Sequence, residues 1–246
     1  MTKKTHRLNW LDFLRGLAII SMIIYHTLWD LENLFGQSVS WFTDDRALIW
    51  ERIGCCAFIL ISGYSVGLSK HGIRRGIIVF LCGIIVSVVT YYFVPSALII
   101  FGVLTFLGCA MILTTLLKNH LSRIHPLIGI PLFLLLFLLF YHVNQGSLSF
   151  LGFPIATFSG SLYRNYVSTF FGFPFPEFFS TDYFSFLPWI FLYLVGFSLY
   201  NLTAKTAKGT SSSIRKWGVI SFMGRNSLWI YMIHQIIIYG VLYFIF

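Results

Sequence analysis

The chain has 246 residues, of which 57% are hydrophobic and 10% charged, and its mean hydropathy is +0.81. A soluble domain carries about 25% charged residues, so the composition excludes an ordinary soluble fold and predicts an all-α, polytopic membrane helix bundle, read as a single domain over residues 1–246. The net charge of +9 does not point to nucleic acid, because the basic residues lie in short loops between apolar runs, where orientation and lipid phosphates account for them.

A membrane span needs about 20 mostly apolar residues. Seven runs qualify in chain order: Leu14–Trp29, Ile49–Leu68, Gly76–Val94, Ala97–Leu117, Leu127–Val143, Leu187–Leu202 and Ser227–Phe246. The first, fifth and sixth are short at these limits, so their ends are expected a few residues outside. The first run is studded with polar residues and lacks a small-residue cleavage site, so it reads as a mature span, not a signal peptide. Cys55, Cys56, Cys82 and Cys109 all lie inside apolar runs and read as small packing residues, with neither disulfide nor zinc-site spacing.

Charge orients the spans. Lys3, Lys4 and Arg7 precede the first. Lys70, Arg74 and Arg75 join the second to the third, and Lys118 and Arg123 join the fourth to the fifth. Lys205, Lys208, Arg215, Lys216 and Arg225 join the sixth to the seventh. These are alternate connections, so they share the cytoplasmic side. The other side holds Arg46 and Arg164 but most of the acids: Asp30, Glu32, Asp44, Asp45, Glu177 and Asp182. The N-terminus is therefore expected inside and the C-terminus outside. Residues 144–186 form a long outer segment whose "FFGFPFPEFF" is too aromatic for a solvated linker. It is expected to fold back over the outer mouth of the bundle, or to form an interfacial aromatic belt.

The first span, "LDFLRGLAIISMIIYHTLWDL", carries Asp12, Arg15, His26 and Asp30. Arg15 and His26 are eleven residues apart, which leaves about 20° between them around a helix and about 16 Å along it. Asp30 is one turn beyond His26, within i,i+4 reach, and Asp12 lies near the same face. A histidine beside a carboxylate suits a general base, because the carboxylate can orient the ring and stabilise the imidazolium. A buried arginine below it suits an anionic or oxygen-rich ligand. The simpler reading is that Asp12 and Arg15 mark the membrane edge while His26 bonds a neighbouring helix. Four ionisable groups on one intramembrane stripe favour function.

Other polar residues extend the candidate site. Glu51 and Arg52 open the second span, where they complete the His26 site or sit at the interface. Asp182 and Tyr183 precede the sixth, and Asp182 is either a candidate for binding ligand hydroxyls or an amine or an ordinary exposed loop acid. In the last span, "GRNSLWIYMIHQ", Tyr231 and His234 share a face three residues apart. His234 reads as a substrate-channel residue or as an interhelical hydrogen-bonding partner. "KHGIRRG" supplies Lys70, His71, Arg74 and Arg75 at the start of the third span, for lipid headgroups or for a phosphorylated ligand. No Gly-rich phosphate loop and no H-E-x-x-H occur, and the last span has no lysine for a retinal Schiff base.

"LDFLRG" followed by His26, with ten residues between Arg15 and His26, resembles the first-helix signature of membrane acyltransferases. It is similar to the acyltransferase-3 family. It is more similar to bacterial relatives of the heparan-alpha-glucosaminide N-acetyltransferase catalytic domain. "YHTLWDL", "FILISGYSVGL", "FGVLTFLGCAMIL", "STDYFSFLPWIFLYLVGFSLY" and "MGRNSLWIYMIHQ" resemble blocks of that second group, in its order and over nearly the whole chain. Thr105 stands where those relatives often have histidine.

The resemblance implies an integral membrane enzyme of a bacterial cytoplasmic membrane. It would transfer an acyl group, most simply acetyl, from cytoplasmic acyl-CoA to an amino or hydroxyl group of a sugar-containing acceptor, as in cell-surface glycan modification, with no metal. His26 with Asp30 would be catalytic, and Arg15, Arg74 and Arg75 would hold the donor. Glu51, Asp182 and His234 would face the acceptor. The partners are then the lipid bilayer, acyl-CoA and the acceptor, with a homo-oligomer left open. The competing class is a transporter or flippase for a lipid-linked or acylated cargo, since intramembrane Arg, His and Asp also suit cargo pathways. The absence of an internal repeat weighs against it.

Overall fold

Long apolar runs become helices because lipid offers the backbone no hydrogen-bonding partners. In the computed structural model, which describes residues 9–42, 45–150, 152–206 and 218–246, the long helices are α1 (Asn9–Asn33), α2 (Asp45–Leu68), α3 (Gly72–Phe93), α4 (Val103–Leu116), α6 (Pro126–Phe140), α8 (Phe186–Thr206) and α10 (Ser227–Ile245). Short helices α5 (Lys118–Leu121), α7 (Tyr166–Phe171) and α9 (Gly218–Arg225) lie between them. Six are long and apolar enough to cross a membrane, and α4 is a shorter apolar helix. The result is an all-α membrane architecture. Lys3, Lys4, Arg7, Asp44, Lys208, Arg215 and Lys216 lie outside the described residues, as does the side chain of Lys205.

The fourth span differs from expectation. It begins at Val103, not Ala97. Pro95 opens a 3-10 turn over Pro95–Ala97, and Phe101 takes a positive φ of 56°, so the chain cannot run helically into α4. At 14 residues, α4 rises only about 21 Å against a hydrocarbon core of about 30 Å.

The chain divides into two compact units, Met1–Ile61 with Thr210–Phe246, and Ser62–Gly209. In the first, α1 packs on α9 and α10. A Cβ on Gly16 would lie 2.0 Å from the Ile220 carbonyl oxygen, and one on Gly224 would lie 1.7 Å from that of Asp12. Helix backbones approach this closely only through small residues.

The second unit has two helix pairs, α3 with α4 and α6 with α8. Gly76 of α3 sits against Gly108 and Ile112 of α4, and Gly83 against Thr105, while Gly108 faces the backbone of Phe80. Helix α8 buries Trp189, Ile190, Leu192, Tyr193 and Phe197. Leu187, ahead of Pro188, has extended backbone (φ −92°, ψ 137°), as the residue before proline prefers. The C-terminal part of α2 joins α8: Gly63 abuts the Tyr193 carbonyl, and Tyr64 shares a 2.8 Å hydrogen bond with Thr203.

The long segment after α6 is structured. An antiparallel hairpin pairs β1 (Ser147–Phe150) with β2 (Phe153–Thr157) in the register Ser147↔Thr157. Asn165 and Ser168 form a capping box on α7, which ends on Gly172 at φ 116°. The aromatics form a connected cluster, with Phe170 stacked on Phe186 and Phe178 against Phe101 and Tyr183. The Tyr183 hydroxyl donates to the Thr169 carbonyl, and burial raises the Tyr183 pKa. The segment thus packs on the second unit.

These contacts predict opposite effects from one substitution. Gly108→Ala places a methyl 2.6 Å from the Phe80 backbone nitrogen and should cost about 1–3 kcal/mol by overpacking. Gly240→Ala, with nothing within 4 Å, should be neutral or stabilising by up to about 1 kcal/mol. Thermal unfolding in detergent compares the two, and equal midpoints would refute the close α3–α4 contact.

Candidate active site

The polar residues of α1 and α10 meet inside the first unit. Asp30 is fully buried (0% exposed). Both of its carboxylate oxygens accept from the Gln235 amide nitrogen, at 2.7 and 2.8 Å. A buried carboxylate needs hydrogen bonds to be tolerated, and here a neutral amide on the neighbouring helix supplies them.

One turn earlier on α1, the His26 ring faces the His234 ring of α10, with centroids 5.1 Å apart and planes at 55°. His234 is 7% exposed. Its Nδ1 lies 2.5 Å from the Tyr231 carbonyl oxygen. A carbonyl only accepts, so Nδ1 carries the proton and Nε2 presents a lone pair in the neutral ring. That Nε2 is buried and has no hydrogen-bond partner among the described residues. His26 is half-buried and makes no hydrogen bond among them. Chemically, the pair offers one partly accessible imidazole backed by a second whose tautomer is fixed and whose lone pair is open.

The expected contact between His26 and Asp30 is corrected. No hydrogen bond or ion pair joins them, although i,i+4 spacing allows one. The carboxylate turns to Gln235, and the imidazole turns to His234.

Beside the imidazole pair, Tyr25 donates to Glu51 Oε2 at 3.2 Å, and Trp50 Nε1 donates to Ser21 at 2.7 Å. Tyr25 meets Trp50 edge-on, and Trp41 stacks on Trp50 at 6.0 Å. Glu51 is thus anchored to the residue next to His26, while Arg52 is exposed. Arg15 lies eleven residues before His26, about 16 Å along the helix. Its Nη1 is 3.5 Å from Asp12 Oδ1, and Asp12 is buried.

The other predicted residues belong to the second unit. Arg74 and Arg75 are exposed in the first turn of α3. That helix start has no acid in its first turn and no side-chain cap from His71. Lys118 donates to the Gly67 carbonyl at 2.9 Å and closes the end of α2. Asp182 Oδ2 accepts from the Val103 N–H at 3.3 Å and so holds the start of α4. No group of three or more His, Cys, Asp or Glu side chains that could hold a metal ion occurs among the described residues.

Sequence reasoning missed Gln235, the partner of Asp30, together with the Ser21–Trp50 and Tyr25–Glu51 links. The signal for Gln235 was available: an uncharged polar residue inside an apolar span is an interhelical hydrogen-bonding candidate.

A family model described as heparan-alpha-glucosaminide N-acetyltransferase, catalytic, matches residues 7–236. That stretch contains both ring partners, both members of the Asp30–Gln235 pair, and Arg15, Glu51, Arg74, Arg75 and Asp182. No curated protein and no solved structure matches the chain. With nearly its whole length matched, the chain belongs to the heparan-alpha-glucosaminide N-acetyltransferase catalytic-domain family and is a membrane-embedded transferase.

Proposed function

We propose that the protein moves an acetyl group from cytoplasmic acetyl-CoA to an amino or hydroxyl group of a sugar-containing acceptor at a bacterial cytoplasmic membrane, using the chain as one acyltransferase domain. The observation that carries this reading is the partly accessible His26 backed by the buried His234 with its open Nε2.

A thioester is already activated, so the protein must supply a base, charge stabilisation and alignment. As the acceptor nitrogen or oxygen attacks the thioester carbonyl, His26 takes its proton. The new C–N or C–O bond forms, the C–S bond breaks, and CoA leaves as a thiolate that regains a proton. His234 Nε2 can accept a hydrogen bond from the protonated His26 ring. Asp30 is a positioning residue in this scheme: through Gln235 it sets α10, and with it His234. Arg15 suits an oxygen-rich group of the donor. Arg74 and Arg75 suit its phosphates, because a helix N-terminus and two guanidinium groups both favour an anion. Glu51 and Asp182 are assigned to the acceptor, Asp182 alongside its hold on α4.

Three measurements test the scheme. His26→Ala should retain acetyl-CoA binding yet transfer at least about 100-fold more slowly in single turnover, the lower end of a general base's contribution. Near-normal transfer would remove His26 from the chemistry, and no thiol release by the unaltered protein would favour a transporter.

For the Asp30–Gln235 pair, Gln235→Leu leaves a buried carboxylate alone and should destabilise by roughly 1–3 kcal/mol or more. Combining it with Asp30→Leu should recover part of that loss. Additive losses in the double variant would show the pair to be uncoupled. Arg75→Ala should weaken CoA binding by about 1.5–3 kcal/mol. Unchanged affinity in both the Arg74 and Arg75 variants would leave these residues to membrane anchoring.

A further inference from the structure

The second unit contains a cleft of about 700 Å³ between α3 and α4, with no charged residue in its lining. Its size falls within the about 300–1,000 Å³ of small-molecule sites. The lining follows α3 from Phe80 to Tyr92, about 18 Å along the helix and more than half of a hydrocarbon core of about 30 Å. Ile84 and Val88 are exposed on the same wall, so the cleft opens sideways from a helix apolar enough to span a membrane.

The opposite wall explains why the cleft exists. Helix α4 starts late, and residues 98–102 fill the remaining depth as irregular chain. Backbone polar groups at that depth must be satisfied within the protein. Ile99 N–H donates to Thr90 Oγ1 at 3.1 Å, and Ile100 N–H donates to Ser180 Oγ at 3.0 Å. The Leu98 and Phe101 carbonyls accept from Thr181 and Phe184, both at 2.9 Å. With these groups tied to neighbouring segments, Leu98, Ile100 and Phe101 contribute to an uncharged wall. On α3, the Ser87 hydroxyl is turned to the Gly83 carbonyl. Exposed Tyr91 and Tyr92 close the lining at the end of α3, where an interfacial aromatic belt would sit.

We propose that this cleft is a lipid site, holding one acyl chain of a bilayer phospholipid along α3 with its headgroup at the level of Tyr91 and Tyr92. An uncharged cleft that opens sideways at membrane depth calls for hydrocarbon. The absence of any cation in its lining favours an ordinary phospholipid over a ligand recognised by its phosphate.

The test uses the full chain in phosphatidylcholine vesicles that contain a phosphatidylcholine with a photoreactive acyl chain. Cross-linked residues are mapped by mass spectrometry. Labelling should concentrate several-fold on residues 84–92 and 98–109 relative to Ile236 and Phe244, which are ordinary exposed apolar residues of α10. Cys109→Phe, which fills the cleft from α4, should abolish that excess and leave α10 labelling unchanged. Val88→Trp, on an exposed position, serves the same purpose if the first variant fails to fold. Equal labelling of both regions, or an excess that survives in the folded variants, overturns the proposal. Displacement of the probe by a few mole per cent of a polyprenyl phosphate, but not by added phosphatidylcholine, overturns it in favour of a prenyl chain.

Discussion

A carboxyl group with no exposed surface in an apolar helix survives only if the protein itself occupies its lone pairs. Asp30 meets that constraint through a single amide, Gln235, which reaches both of its oxygens. The two hydrogen bonds fix the register of α1 against α10, since a slip of one residue in either helix would leave the carboxylate bare. The site follows from that register. His26 is one turn before Asp30, and His234 is next to Gln235, so pairing the second residues brings the first ones ring to ring. At the other end of α1, the Gly16–Ile220 and Gly224–Asp12 contacts hold α9 at backbone distance. The helix that carries His26 and Asp30 is therefore fixed near both ends within its own unit.

The same constraint shapes the second unit. A short α4 leaves irregular chain at membrane depth, and its N–H and C=O groups need internal partners. Thr90 of α3 and the chain from Ser180 to Phe184 provide them, which gives the segment before α8 a structural task. Asp182 takes part by accepting from Val103. One carboxylate can anchor a helix start and still offer an oxygen to a ligand, so its structural and functional readings are compatible.

Much of the architecture was legible because lipid enforces it. Apolar length marks a span whatever the side chains do: six of the seven runs became helices long and apolar enough to cross a membrane, and the fourth became a shorter apolar helix. The four-residue stripe on α1 was likewise readable from periodicity. Partner choice was not. Periodicity places Asp30 within reach of His26, but it is silent on the residues of α10 that compete for both. The start of α4 was misplaced because "PSALIIFG" is apolar enough to pass as span, while Pro95 and the positive φ of Phe101 end helical continuity. The hairpin and α7 were hidden by the aromatic composition of residues 144–186. Their local signals, Asn165 with Ser168 and Gly172 seven residues after Asn165, were nevertheless present.

The cations at the ends of the helices in the second unit divide by use. Lys118 sits where a helix end favours positive charge, and it donates to a terminal carbonyl of α2. Its place is explained by the fold. Arg74 and Arg75 sit in the first turn of α3, where the helix dipole favours an anion and disfavours a cation. No acid occurs in that turn to offset them. Orientation in the membrane explains why basic residues lie in this connection, but it would be met equally by placing them in the preceding loop. Two guanidinium groups within the first turn, beside N–H groups with no intrahelical acceptor, form an arrangement that an incoming anion stabilises. The order of charge and helix start thus suits a phosphate group, whether of a lipid headgroup or of a soluble ligand.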